Sequence, residues 1–210
     1  MAETSTSTPL KDRLSNYYRF QSKIYDATRW SFLFGRKSLI NNLPFSAKQK
    51  IKVLEVGCGT GANLYRLANT YERATIHGID LSADMLSLAR KKTAPFGDRV
   101  HLYQGHYGQI PVDYPYDLII FSYCLTMVNP GWEDLIRVAL SDLRAGGILG
   151  VVDFHHTPVR PFEKHMSGHH VRMDGHLAPH LLELLPGGQS TVRPAYGGLW
   201  HYFQFIGQKP

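Results

Sequence analysis

The segment Ile51-Lys52-Val53-Leu54-Glu55-Val56-Gly57-Cys58-Gly59-Thr60-Gly61 constrains this chain more than any other. Ile51 to Val56 is β-rich and mostly apolar, which reads as a buried strand. Glycines at 57, 59 and 61 then break it, and a run with Leu64, Leu67 and Ala68 on one helical face follows. Strand, glycine-rich turn and helix open a nucleotide-binding βα unit. Glycine turns tightly and lets a ligand approach the backbone with no Cβ in the way. Two spacings fit. Gly57, Gly59 and Ala62 satisfy the dinucleotide pattern G-x-G-x-x-G/A, which is weak evidence alone. Gly57, Gly59 and Gly61 satisfy G-x-G-x-G, with the acid Glu55 two residues ahead.

A second landmark follows the helix. Ala74 to Asp80 reads as a strand that ends in an acid, and a carboxylate about 20 residues past the glycines suits a grip on ribose hydroxyls. Leu81 to Leu86 then opens a helix, with Ser82 as its N-cap.

Glu55-Val56-Gly57-Cys58-Gly59-Thr60-Gly61, then Gly78-Ile79-Asp80-Leu81-Ser82 with Met85-Leu86, then Leu143-Arg144-Ala145-Gly146-Gly147 with Asp153, resemble the motifs of class I S-adenosylmethionine (SAM) methyltransferases. They fall in the family's order over residues 51–153, and Glu55 favours this family over the dinucleotide reading. The resemblance implies a Rossmann-like α/β fold. Its sheet has seven mostly parallel strands with an antiparallel C-terminal strand, and an N-terminal helical lid covers it. It implies SAM as cofactor, held by Glu55, Gly57, Cys58, Gly59, Gly61, Asp80, Leu81 and Met85. Where the family has Asp after the glycine that ends strand three, facing the adenine amino group, this chain has His106. A neutral imidazole accepts that hydrogen bond, or Tyr107 lies against the ring instead. Ser122, at the carboxyl end of strand four (Tyr116 to Phe121), reaches the crevice where ligands bind in open α/β sheets.

Two hundred and ten residues suffice for one compact domain. The expected division is a disordered tail over 1–9, a helical lid over 10–43, the SAM-binding core over 51–154, and a substrate loop with a closing hairpin over 155–210. No stretch approaches the ~18 apolar residues of a membrane span, and Met1 to Pro9 lacks the pattern of a signal peptide, so a cytoplasmic protein is expected. Cys58 and Cys124 suggest no disulfide framework, and Cys58 reads as a small residue that fits the turn. A net charge of +6 favours anionic partners, an acidic membrane surface among them. With no Lys/Arg run or RNA-binding module, no nucleic-acid partner is expected.

Residues 10–43 are aromatic and basic, with Leu14, Tyr17, Tyr18 and Gln21 at helical spacing. They read as amphipathic helices, packed on the sheet edge or closing over the methyl donor with a basic face toward anionic lipid. The segments from Tyr17 to Arg29, Leu33 to Arg36, and Phe121 to Val128 before Trp132 resemble the betaine-lipid N-methyltransferases. That resemblance implies three successive methyl transfers to the amine of a diacylglyceryl-homoserine lipid, at the inner face of a membrane, and a separate enzyme that makes the lipid.

Methyl transfer from a sulfonium is an in-line displacement that needs alignment and dryness. An amine acceptor must lose a proton first. His155 or His156, just past strand five (Ile148 to Phe154), is a candidate acceptor for it, as is bulk water. Tyr25, Tyr123 and Trp132 offer aromatic faces for the cation that accumulates, with ordinary packing as the alternative for each. Arg36 or Arg29 suits a carboxylate of SAM or of the headgroup. Tyr25, Tyr123 and His155 are thus the catalytic candidates, with Tyr25 and Arg36 also counted toward the cofactor. Residues 155–180 hold seven of the eleven histidines. His165/His169 and His176/His180 have i,i+4 spacing, but no H-E-x-x-H or cysteine supports metal, and the prolines and glycines predict loop. Two other readings stay open. One is C- or O-methylation of a quinone or other small molecule, and the other is a SAM-binding protein without turnover.

Overall fold

The computed structural model describes residues 33–110 and 115–210. Tyr25, Arg29 and most of the expected helical lid lie outside the described residues. The first described helix is the short α1 (Arg36–Asn41). Then come β1 (Lys52–Val56), α2 (Ala62–Thr70), β2 (Thr75–Asp80), α3 (Ala83–Thr93), a 3-10 turn (Ala94–Arg99) and β3 (Val100–Gln104). The second half has β4 (Tyr116–Ser122), α4 (Trp132–Asp142), β5 (Leu143–Phe154), α5 (Arg160–Gly168), α6 (Leu177–Leu184), β6 (Gln189–Ala195) and β7 (Trp200–Gln208).

Seven strands form one sheet in the order β3-β2-β1-β4-β5-β7-β6. β1 pairs in parallel with both β2 and β4. β7 runs antiparallel to both β5 and β6, so it is the reversed strand of the expected mixed sheet. The strand order turns around between β1 and β4, and the switch point opens a crevice at the strands' carboxyl ends. β1 is buried from Val53 to Val56, and β4 buries Leu118 to Ser122, which explains their near-continuous apolar runs.

Two cores cover the two faces. On one, Leu64, Leu67 and Ala68 of α2 meet Leu39 and Ile40 of α1 over Val53, Leu118 and Val152. On the other, Ile136 and Ala139 of α4 and Leu181 of α6 meet Phe121, Phe203 and Phe205. Each such aromatic or branched side chain, fully buried, contributes roughly 1.5–3 kcal/mol. The α2 stripe is the one its periodicity predicts. On α4, Ile136 and Ala139 are buried, while Leu135 and Val138 only pack partly against that core.

Ser82 caps α3 as expected, its hydroxyl accepting from the Met85 N–H at 3.3 Å. Residues 155–180 depart from the loop reading, since α5 and the first part of α6 lie there. Pro161 falls in the first turn of α5, and Pro179 is the third residue of α6, where a missing N–H removes no helical bond. Leu177, Ala178 and Leu181 then give α6 a buried face. β5 begins at Leu143 rather than Ile148, because Leu143 already pairs with Tyr116 before the register shifts. Among the described residues no helix is long and apolar enough to cross a membrane.

Candidate active site

The turn after β1 is fastened to the end of β2. The N–H groups of Gly57 and Cys58 both donate to the Ile79 carbonyl, at 2.9 and 3.0 Å. Gly57 has φ +70°, and a Cβ there would sit 2.8 Å from Cys124 Sγ. Left-handed backbone and lack of room therefore both demand glycine. Gly59 and Gly61 are also at positive φ.

Asp80 locks this turn to the next helix. Its Oδ2 accepts from the Gly59 N–H at 2.8 Å and its Oδ1 from the Ser82 N–H at 2.9 Å. Each oxygen keeps a lone pair for a further donor. Glu55 is buried, and its Oε1 accepts from Asn63 Nδ2 at 2.7 Å. Burial, then the charges of Glu55 and Asp80, push the Cys58 thiol well up, so it stays protonated and is no nucleophile at neutral pH.

Glu55, Gly57, Cys58 and Gly59 border a cavity of about 280 Å³, and Asp80 stands behind its lining, bonded to the Gly59 N–H. Its floor is Glu55, Gly57, Cys58 and Gly59, its β4 side is Ser122, and its outer wall includes Leu33 and Arg36. Six residues expected from the sequence to meet the cofactor are thus gathered here: Arg36, Glu55, Gly57, Cys58, Gly59 and Ser122. Thr60, Ala62 and Lys92 also line it and were not expected. Thr60 belongs to the turn itself and Ala62 opens α2, but nothing in the spacing brings Lys92, near the end of α3, to the same place.

The other candidates lie around or away from this cavity. Gly61 leads into α2. Leu81, 47% exposed, follows Asp80, while Met85 is buried in the first turn of α3. His106 is exposed beyond β3. Tyr107 departs from its expected role, because its ring is in the core beside Phe121 and its hydroxyl donates to Asp142 Oδ2 at 2.8 Å. Tyr123 is only 1% exposed, its ring edge packs on Phe154, and its hydroxyl donates to the Phe34 carbonyl at 2.9 Å. The ring proposed to face a cation is therefore covered. Trp132 likewise packs against His176 and His180.

His155 does not line the cavity. It follows β5, with its ring over Gly175 and near Phe203. Its Nδ1 is buried with no hydrogen-bond partner among the described residues. Burial, then the neighbouring His156 and His201, lower its pKa, so it is neutral at pH 7. Next to it Asp174 contacts both Arg172 and His176. Among the described residues no group of three or more His, Cys, Asp or Glu is arranged to hold a metal ion.

A buried carboxylate joins the ends of β4 and β5. Asp153 accepts from the N–H groups of Cys124, Thr126 and Phe154 and, at 2.5 Å, from the Thr126 hydroxyl. Burial outweighs these bonds and raises its pKa to about 6. The sequence marked Asp153 as a motif position but gave no sign of this role.

Residues 53–147 match the family described as "Methyltransferase domain". Malonyl-[acyl-carrier protein] O-methyltransferase of Priestia megaterium is 38% identical over 141 residues, covering 67% of this chain and 49% of that protein. Carboxy-S-adenosyl-L-methionine synthase of Campylobacter lari is 28% identical over 103 residues, 49% of this chain and 44% of the relative. The chain thus spans about half the length of these curated relatives. Among solved structures, phosphoethanolamine N-methyltransferase 2 of Haemonchus contortus with SAM has a TM-score of 0.74 at 16% identity, over 92% of this chain and 59% of the other. The DhpI-SAM-HEP complex has a TM-score of 0.65 at 20% identity, over 99% and 100%. At these identities the structural likeness is one of fold.

Proposed function

We propose that this chain, whose residues 53–147 are a methyltransferase domain on the class I, SAM-dependent fold, transfers methyl groups from SAM held in the β1–β2–β4 crevice. The observation that carries this reading is the Asp80 carboxylate, anchored by the Gly59 and Ser82 N–H groups, with Gly57 and Gly59 of the same turn lining the cavity. Its remaining lone pairs suit two adjacent ribose hydroxyls. In this reading Leu81 and Met85 flank the nucleoside and His106 meets the adenine edge. Arg36 pairs with the amino-acid carboxylate, and Glu55 faces the ammonium end. SAM supplies a methyl carbon on a sulfonium, which leaves as a neutral thioether. The chain's part is to align that carbon with the acceptor and keep water out.

For the acceptor we propose the amine of a diacylglyceryl-homoserine lipid, methylated up to three times. The support is the resemblance of residues 17–29, 33–36 and 121–128 to the betaine-lipid enzymes; since His155 lies off the cavity, bulk water takes the amine proton in this reading. The net charge of +6 suits an anionic membrane surface, and a separate enzyme would supply the lipid. A second reading, O-methylation of a carboxylate, is favoured by the 38% identity to the malonyl-carrier enzyme over two thirds of this chain.

The test presents SAM with diacylglyceryl-homoserine in mixed micelles, or with a malonyl thioester, and follows products by mass spectrometry. The lipid should gain one, two and three methyl groups that survive mild alkali. A single, alkali-labile methyl on the malonyl thioester, with the lipid unchanged, would establish the second reading. No S-adenosylhomocysteine from either acceptor, despite tight SAM binding, would leave a binding protein.

A further inference from the structure

The turn that carries Arg36 to the crevice is held by side chains far away in sequence. Gly35 has φ +81°, and a Cβ on it would lie 2.5 Å from the Tyr202 ring, so the turn sits flush on β7. Two consecutive carbonyls of this turn are captured from the sheet. The Phe34 carbonyl accepts from the Tyr123 hydroxyl at 2.9 Å, and the Gly35 carbonyl from Gln204 Nε2 at 2.8 Å. Gln204 Nε2 also donates to Ser38 Oγ at 2.7 Å, and that hydroxyl donates to the Gly35 carbonyl at 3.2 Å.

These two side chains come from either side of one residue. Val152 of β5 is the register partner of Gln204 on β7, and its carbonyl accepts from the Tyr123 N–H at 2.8 Å. Tyr123 is one of three non-glycine residues at positive φ among those described, at +53°. A bulky residue adopts that conformation only where its surroundings impose it, and such sites cluster near function. Here the outlier aims the hydroxyl at the turn. Both flanks of the turn, Leu33 and Arg36, line the cavity.

We propose that Gln204 and Tyr123 are positioning residues that set Arg36 against the carboxylate of the bound donor. This rests on the reading of the crevice as a SAM site. The clamp couples the far, antiparallel part of the sheet to donor affinity without touching the donor. Arg36 makes its bidentate contact only where the turn is fixed, since a planar guanidinium must meet the carboxylate edge-on.

The test compares two ligands by titration calorimetry on the full chain. S-adenosylhomocysteine carries the carboxylate, and 5′-methylthioadenosine keeps the nucleoside but lacks the amino-acid end. Gln204→Leu should weaken S-adenosylhomocysteine about five-fold or more and leave 5′-methylthioadenosine within about two-fold, the pattern expected for an indirectly lost charge-assisted contact. Tyr123→Phe, which removes a single hydroxyl, should give the same pattern at smaller size and keeps the test available if the leucine variant does not fold. Arg36→Ala should give it at larger size. Equal weakening of both ligands, or no weakening of either, overturns the clamp. Failure of the wild-type chain to bind both ligands overturns the SAM reading instead.

Discussion

At β1 and β2 the crevice is made of backbone and two carboxylates that lie close together in sequence. At β4, β5 and β7 it is bounded by side chains that meet across long stretches of chain. In the first region Gly57, Gly59 and Asp80 are tied by N–H groups to neighbours within about one βα unit. In the second, Asp153 gathers a loop 27 to 29 residues away, and Gln204 reaches across 169 residues to Gly35. The first is a surface shaped for a ligand to approach. The second is a set of fasteners behind it. Damage to the first should appear as lost donor affinity, and damage to the second mainly as lost stability, the Arg36 clamp being the place where the two meet.

The largest effect that would test this contrast is at Asp153. Asp153→Ala strips the acceptor from three N–H groups and a hydroxyl in a dry site, and should cost about 2–4 kcal/mol in urea denaturation. Its titration adds a signature. The folded-state pKa of about 6 lies above the ordinary 3.8, so the folded chain holds the proton more tightly. That contribution is complete below about pH 4 and is lost as pH rises through 6, a fall of about 3 kcal/mol. Asp153→Asn should flatten this part of the stability curve. An unchanged slope would break the assignment.

Gly57→Ala should come next. Positive φ and the approach to Cys124 Sγ together should cost about 2–3 kcal/mol, and donor affinity should fall as well. A variant with full affinity and lowered melting temperature would move Gly57 into the class of fasteners. Asp80→Ala should weaken SAM binding by about ten-fold, from the loss of charge-assisted bonds to the ribose. Its melting temperature should fall too, because the Gly59 and Ser82 N–H groups lose their acceptor, but by less than for Asp153→Ala, whose site is fully buried.

The smallest expected effect sharpens the comparison from the other side. Burial, first of all, lowers the pKa values of His155, His156 and His176. A lowered histidine pKa means the unfolded chain takes up protons first as pH falls below about 6.5, so stability drops in that direction, opposite in sign to Asp153. His155→Gln should reduce this acid-side loss without changing SAM affinity. An altered SAM affinity would extend the donor site to the end of β5.

The same contrast explains what the sequence disclosed. Glu55, Gly57 and Gly59, and then Asp80 and Ser82, are readable because the spacing of each set follows from one turn between a strand and a helix. The sheet and its reversed strand were legible through the resemblance to class I methyltransferases, which implies them. Tyr107 and Tyr123 misled because an aromatic ring at a strand end gives no sign of which way it turns. One hydroxyl found Asp142 and the other the Phe34 carbonyl. Gln204, Asp153 and Lys92 acquire their roles only when distant segments meet, and no local pattern encodes that. Pro161 and Pro179, read as loop markers, turned out to mark the first turns of helices.

The central claim is that the glycine floor and Asp80 hold a SAM nucleoside by its ribose. A crystal structure of the chain with S-adenosylhomocysteine tests it most directly. The account predicts both ribose hydroxyls within about 3 Å of the Asp80 carboxylate, with the amino-acid end toward Arg36. The ligand bound elsewhere, or the ribose turned away from Asp80, would contradict it.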